Sequence, residues 1–300
     1  MIEARRLEVL RVLAATGTVT ATATALHLTP SAVSQQIKVL EREAGAQLVQ
    51  REGRGVRLTP AAQIMIRHGE RVRAMWEGVR AELDAHSDQR QTTLRIGAFP
   101  SALARIVAPA AADLRRTHPH LQITLTEVET TQCFQLLSSD QLDIAVLVPL
   151  PDNPAPDDAR FEQQYLLDDP QDLVVASDHP LARRGASVEL AEAAHENWIA
   201  APEHIDQHQL ILAACAAAGF TPRIAHSAQE WNAICSLVAH GFGVCLLPRM
   251  APVAAEHAVA RIPLSGEPRP FRRILTCIRR GSGQQDAVEL GLRALHAVAD

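Results

Sequence analysis

The sequence predicts a mixed α+β chain: a winged helix-turn-helix at the amino end, one long helix after it, and an α/β body that takes up the rest. Three observations carry this. Residues 17–58 place two short amphipathic helices ahead of an arginine-bearing hairpin. An apolar stripe roughly six turns long follows Pro60, and from Leu94 onward strand-like and helix-like segments alternate.

In the head, Val19, Ala23 and Leu26 fall three and four apart, which gives a first helix one buried face. Leu28 leads into Thr29-Pro30, where the Thr hydroxyl can accept from orphan amides and Pro fits the first helical position. A second helix therefore starts at Pro30. Its inner face is Val33, Ile37 and Leu40; its outer face is Ser31, Ser34, Gln35, Lys38 and Arg42. Short hydroxyls and amides reach base edges or phosphates, and cations hold the backbone, so this outer face suits a recognition helix in a major groove. Gly45 stops the helix. Leu48–Arg51 and Val56–Leu58 then flank Glu52-Gly53-Arg54-Gly55, a hairpin turn, and Arg51, Arg54 and Arg57 make a basic wing. Taken singly, each polar residue reads equally well as solvated surface. The ordered set of helix, turn, capped polar helix, Gly stop and Arg-rich hairpin favours duplex DNA as partner.

Thr59-Pro60 repeats the Thr-Pro start, and no further Pro occurs before His86. Met65, His68, Val72, Met75, Val79 and Leu83 recur at three and four, with Trp76 broadening the stripe. A helix this long needs a partner helix as cover, the alternative being packing on its own domain. Ser87–Gln91 is polar and is expected to end it as a hinge.

In the body, Leu94–Gly97, Leu121–Val128 and Leu142–Val148 read as strands, with helices at Ala102–Arg116 and Thr131–Ser138 between them. That βαβαβ series predicts a parallel sheet. A second series has strands at Leu173–Ala176, Trp198–Ala200, Arg223–His226 and Gly243–Leu247, with helices at Glu189–Ala194, Gln207–Ala218 and Gln229–His240. Pro149–Pro156 reads as a loop, and Phe271–Arg279 and Asp286–Val298 supply a last strand and helix that need a return crossing.

Composition agrees. The 300 residues are 47% hydrophobic and 21% charged, enough for two or three cores. No cationic leader precedes an apolar run and no span of about 18 apolar residues occurs, so a soluble, cytoplasmic protein without membrane contact is expected. The net charge of −5 is unevenly spread: residues 1–60 carry 8 Lys+Arg against 5 Asp+Glu, and residues 94–300 carry 16 against 24. A basic head on an acidic body is compatible with DNA binding. Cys133, Cys215, Cys235, Cys245 and Cys277 are odd in number and lack a CxxC pair, which implies buried reduced thiols; a redox pair such as Cys235 with Cys245 is the alternative.

The head resembles the N-terminal domain of LysR-type transcriptional regulators. The matching residues are Gly17, Thr18, Val19, Thr20, Ala23 and Leu26, then Ala32, Val33, Ser34, Gln36, Ile37, Leu40, Glu41 and Gly45, then Leu48, Arg51, Leu58 and Thr59. The family's usual Gln-Pro pair is Pro30-Ser31 here, and its common Arg is Gln35. In the body, Ala176–Ala182, Gly219–Pro222 and Val238–Val244 through Pro248 continue the resemblance.

The resemblance implies more than periodicity does. It implies a two-lobed, type 2 periplasmic-binding-protein-like effector domain with crossovers near residues 165 and 268. The boundaries are then 1–59 for the DNA-binding domain, 60–90 for the linker, dimerisation helix and hinge, and 91–300 for the effector-binding domain. Lobe I takes about 91–165 and 268–300; lobe II takes about 166–267. It implies pairing of the long helices in a homodimer or homotetramer, with half-sites read about 34 Å apart. DNA contact is expected at Ser31, Ser34, Gln35, Gln36, Lys38, Arg51, Arg54 and Arg57.

A small-molecule effector is expected between the lobes, at the carboxyl ends of the strands. Ser101, where a helix begins, and Thr130 and Thr131, where another does, suit an anion such as a carboxylate, or are simple N-caps. Pro202 and Glu203 follow a far-lobe strand, and Trp231 either lines the cleft or packs in the core. No cofactor or metal is implied. His204 and His208 lack the His-Glu-x-x-His arrangement, no glycine loop cradles phosphate, and Ser101 lacks a nucleophile elbow. A regulator rather than an enzyme is therefore expected. The alternatives are a catalytic α/β body on the same head and an architectural DNA binder without a ligand.

Overall fold

The computed structural model describes residues 3–52, 55–85, 93–203, 205–267 and 269–299. They divide into two compact units, the first running to Leu83 and also taking Arg280–Ser282, the second formed by the remainder.

The first unit opens with α1 (Ala4–Thr16), which precedes the helices expected from spacing and supplies Val9, Leu10 and Leu13 to the core. In α2 (Val19–Ala25) the Thr18 hydroxyl accepts from the Ala21 amide at 3.2 Å, so the chain has its own N-cap. Helix α3 (Pro30–Ala44) starts as the Thr-Pro signal predicts: Thr29 Oγ1 accepts from the Ala32 amide at 3.2 Å and Pro30 occupies the first turn. It ends at Gly45, which turns left-handed with φ 64°. Val33, Ile37 and Leu40 are buried against α1 and α2. Strands β1 (Val49–Glu52) and β2 (Gly55–Leu58) pair antiparallel, Val49 opposite Leu58 and Gln50 opposite Arg57. Glu41 on α3 reaches this hairpin: its Oε1 accepts from the Leu48 and Val49 amides at 2.8 and 3.2 Å. Thr59 then caps α4 (Pro60–Ala85), accepting from the Ala62 amide at 3.2 Å while donating to the Gln47 carbonyl at 2.7 Å. The expected hinge at Ser87–Gln91 lies outside the described residues.

In the second unit β3 (Thr93–Ala98) pairs parallel with β4 (Gln122–Glu127) and β5 (Ile144–Leu147). The connection expected as one helix is α5 (Pro100–Ala102), a π-helical turn at Leu103–Val107 and α6 (Ala108–Thr117); α7 (Thr130–Ser138) makes the second crossover. The largest departure from expectation is β6 (Phe161–Ala176), one strand of 16 residues where only Leu173–Ala176 had strand character. Its first half pairs with β12 and its second half with two other strands.

Beyond β6 come α8 (Pro180–Arg183), β7 (Val188–Glu189), a 3-10 turn at Leu190–Ala193 in place of the expected short helix, β8 (Asn197–Ala200), α9 (Asp206–Ala217), β9 (Arg223–Ser227), α10 (Trp231–Ala239) and β10 (Cys245–Pro248). The chain closes with β11 (Val259–Ser265), a strand not expected from the pattern, then β12 (Phe271–Arg279) and α11 (Asp286–Ala299). The sheet runs β4-β3-β5-β12-β6-β11-β7, with β10 also on β6; β8 and β9 pair separately. Two crossings, within β6 and between β11 and β12, therefore divide this unit into two lobes, as the resemblance implied. One lobe is packed on Leu94, Ile106, Ile144 and Ile274, the other on Leu173, Trp198, Ile211 and Leu246.

An ion pair pins the first lobe at the strand edge. Asp143 accepts from the Arg95 amide at 2.9 Å and from its Nη2 at 2.7 Å, with Arg279 Nη2 at 3.2 Å. Burial pushes the Asp143 carboxyl up, and the hydrogen bonds and charge of Arg95 more than reverse this, leaving it below the usual carboxylate range. A depressed carboxylate contributes stability above its unfolded pKa, and that contribution is lost as pH falls through the lower folded value. Asp143→Asn is therefore expected to unfold at a lower temperature at pH 7 and to show a flatter loss of stability below about pH 4, measured by thermal melts across pH.

Candidate functional site

Each unit carries one candidate site. On the head, the face of α3 opposite Val33, Ile37 and Leu40 presents Ser31, Gln35 and Lys38 to solvent. Ser31 Oγ lies 3.0 Å from Thr29 Oγ1, and the half-buried Ser34 donates to the Pro30 carbonyl at 3.0 Å, so both hydroxyls already have a local partner. Gln36 is half-buried like Ser34 and its side-chain carbonyl oxygen is enclosed, because it sits three residues after Val33 and one before Ile37, at the rim of the buried face. On the wing, Arg57 is exposed and its Nη2 donates to Gln50 Oε1 at 2.9 Å across the hairpin. Arg51 lies in β1, and Arg54 lies outside the described residues.

In the second unit a cleft enclosing about 70 Å³ opens between the lobes. Phe99, Ser101, Glu127 and Glu129 line it from one side; Gln207, Leu210, Glu230 and Trp231 line it from the other, with Arg272. Of the residues expected there, Ser101 and Trp231 are in place. Thr130 is not: it is fully buried, and its hydroxyl accepts from the Val148 amide at 3.2 Å, tying α7 to the end of β5. Thr131 and Glu203 are exposed and, like Pro202, do not line the cleft; Ala201 and Ile205 take the place of that pair.

The residue that organises the floor was missed. Arg272 is only 4% exposed and donates from Nε to Asp169 Oδ2 at 2.9 Å and from Nη2 to Ser101 Oγ at 2.5 Å. Its guanidinium lies 4.7 Å from the centre of the Phe99 ring, and Asp169 also accepts from the Met250 amide at 3.1 Å. A signal existed. Along Phe271-Arg272-Arg273-Ile274 the alternation puts Arg272 in phase with the buried Ile274, where an arginine needs a buried acid. Gln207 is the second omission: its Nε2 donates to Gln171 Oε1 at 3.0 Å and to the Leu246 carbonyl at 3.2 Å. Among the described residues the lining carries three carboxylates and one guanidinium. Glu127, Glu129 and Glu230 line it together with Arg272, which pairs with Asp169.

All five cysteines are buried and free of disulfides. Burial pushes the Cys215 thiol up to about 12 and raises Cys235, Cys245 and Cys277 as well. His208 bonds the Ala201 carbonyl through Nδ1 at 2.7 Å, and its expected neighbour His204 lies outside the described residues. Among the described residues, no helix is long and apolar enough to cross a membrane.

A winged helix-turn-helix followed by a two-lobed α/β body with a cleft defines a class of DNA-binding transcriptional regulator. The family models agree: residues 4–63 match the bacterial regulatory helix-turn-helix protein of the LysR family, and residues 87–300 match the LysR substrate binding domain. The chain belongs to the LysR family of transcriptional regulators. It is 28% identical over 219 residues to the transcriptional dual regulator GltC of Bacillus subtilis, covering 73% of this chain and 71% of that one. It is 29% identical over 261 residues to the hydrogen peroxide-inducible genes activator of Pectobacterium carotovorum, covering 85% and 83%. A full-length OxyR variant from Pseudomonas aeruginosa shares the fold at a TM-score of 0.66, with 23% identity over 98% of this chain and 95% of that one. These relatives are regulators of transcription, not enzymes.

Proposed function

We propose that this regulator reads duplex DNA through α3 and its wing, assembles through α4, and changes its oligomer geometry when a small molecule occupies the inter-lobe cleft. The observation that carries the DNA reading is the sidedness of α3: a capped helix with Val33, Ile37 and Leu40 buried and Ser31, Gln35 and Lys38 left in water. DNA contact is assigned to Ser31, Ser34, Gln35, Lys38 and Arg57, with Arg51 and Arg54 on the wing. Gln36 acts from the rim of the helix. The domain boundaries follow this division of labour at about residues 59 and 90.

The test is a gel shift with the DNA upstream of its own gene, titrated with salt. Lys38→Ala is expected to weaken binding to all sequences alike and to lower the salt slope by about one, the signature of one lost phosphate contact. A slope equal to that of the native protein would remove Lys38 from the phosphate backbone. Ser101→Ala is expected to alter any effector-dependent change in the footprint while leaving effector-free binding unchanged.

The cleft also bears on the architectural alternative, for which a closed, filled interior is required. An open crevice of about 70 Å³ with mixed polar and apolar lining favours a ligand instead. The redox alternative, a pair such as Cys235 with Cys245, requires an accessible thiolate. Here the thiols are buried and several are held protonated by burial. The folded protein is expected to leave a disulfide reagent such as DTNB unreacted at pH 8, and to titrate all five thiols only in denaturant. Fast reaction of one thiol in the folded state would restore the redox reading.

A further inference from the structure

We propose that His27, in the turn between α2 and α3, holds a phosphate of the DNA backbone; this rests on the reading of α3 as the helix that enters the groove. The first observation is one of backbone conformation. Two hydrogen bonds close α2, from the His27 amide to the Thr24 carbonyl at 3.3 Å and from the Leu28 amide to the Ala23 carbonyl at 2.8 Å. The chain makes them by turning left-handed at His27, with φ 52°. Helices α1 and α3 end in the same conformation, at φ 70° and 64°, and both use glycine there, Gly17 and Gly45. Glycine adopts that backbone without steric cost, whereas a side chain crowds the following carbonyl. Of these three closures only that of α2 carries a side chain, and it lies just ahead of the Thr29 cap of α3. Strain kept where glycine would relieve it points to a use for the side chain.

The surroundings identify that use. Leu26 and Leu28, on either side, pack against the core of the head, and the imidazole between them is exposed. None of the described residues engages its ring. Neither packing nor a local hydrogen bond accounts for a histidine here. It stands instead in an exposed polar row that runs from Thr20 and Thr24 on α2 to Thr29 and Ser31 at the start of α3. In a helix-turn-helix the first helix crosses the DNA backbone and the second lies in the groove. The turn between them passes the rim of the groove, where phosphates rather than base edges are within reach. Neutral or charged, an imidazole has an N–H to donate, and a phosphate oxygen accepts it.

The test combines a gel shift with ethylation interference, using the full chain and the DNA upstream of its own gene. His27→Gly is expected to melt no lower than the native protein and yet to bind that DNA about tenfold more weakly, the size of one lost hydrogen bond to a charged group. In each bound half-site, ethylation of one phosphate that blocks the native protein is expected to make no difference to the variant, the other phosphates being required as before. Native affinity in His27→Gly would overturn the contact while leaving α3 as the reading helix. Weaker binding with every phosphate still required would assign the effect to a looser turn and overturn the contact as well. Failure of the native protein to bind any fragment would overturn the reading of α3, and the contact with it.

Discussion

Met75→Glu combined with Leu83→Glu is expected to turn the protein into monomers and to lower its affinity for a two-half-site operator by about a hundredfold or more. Helix α4 has 26 residues, so it extends about 39 Å. Along it Val72, Met75, Trp76, Val79 and Leu83 recur at helical spacing and remain in water, Met75 at 72% and Trp76 at 58% exposure. A contiguous apolar stripe of this kind on one helix face is the mark of an association surface. Burying each such side chain contributes about 1.5–3 kcal/mol, and a glutamate placed in the same seam instead brings an unpaired charge. Losing the partner converts the second half-site from an intramolecular to an independent event, which is the source of the affinity loss. Sedimentation velocity and a gel shift on paired and single half-sites measure both effects. An oligomer that survives both substitutions would move the interface off this helix.

The second large effect is expected at Asp169. Asp169→Ala takes from the buried Arg272 its carboxylate partner at 2.9 Å and removes the acceptor of the Met250 amide, so a loss of about 3–5 kcal/mol is expected in denaturant unfolding. The logic of a buried pair supplies the control. Arg272→Met in the same background removes the buried charge and is expected to recover much of the loss, although Ser101 then loses the hydrogen bond from Arg272. A single Asp169→Ala change that costs under about 1 kcal/mol would show that water reaches the guanidinium and that the floor of the cleft is not dry.

How much of this was legible in the sequence depends on where each element gets its partners. Helix α2 could be placed from the spacing of Val19, Ala23 and Leu26, and α3 and α4 because Thr29-Pro30 and Thr59-Pro60 mark their starts with local chemistry that the structure uses as caps. Helix α1 has helical spacing at Leu7, Leu10 and Leu13 but no side-chain cap at Glu3, so nothing punctuated it. Strand β6 was hidden for another reason. Its middle carries Asp168, Asp169, Gln171 and Asp172, which looks like loop composition. Those acids instead meet Arg273, Arg272, Arg249 and Arg261, partners 77 to 105 residues away. Pairing at that separation leaves no mark on local periodicity.

The cleft divides in the same way. Ser101 and Trp231 were found because they sit at helix starts just after strands, a local rule. Thr130 obeys the same rule and was assigned to the cleft wrongly, since its hydroxyl is taken up by Val148 at the neighbouring strand end. Arg272 and Gln207 came together only through folding, from segments far apart in the chain.

Glu41 ties the end of α3 to the first residues of the hairpin by two amide bonds, with Leu48 sealed beneath them. If α3 and the hairpin grip the duplex as proposed, they therefore act as one stiff jaw with a preset bite. A target sequence whose grooves do not match that bite has to be deformed to fit, so discrimination between operators falls partly on how cheaply each stretch of DNA bends, and not only on which bases are touched.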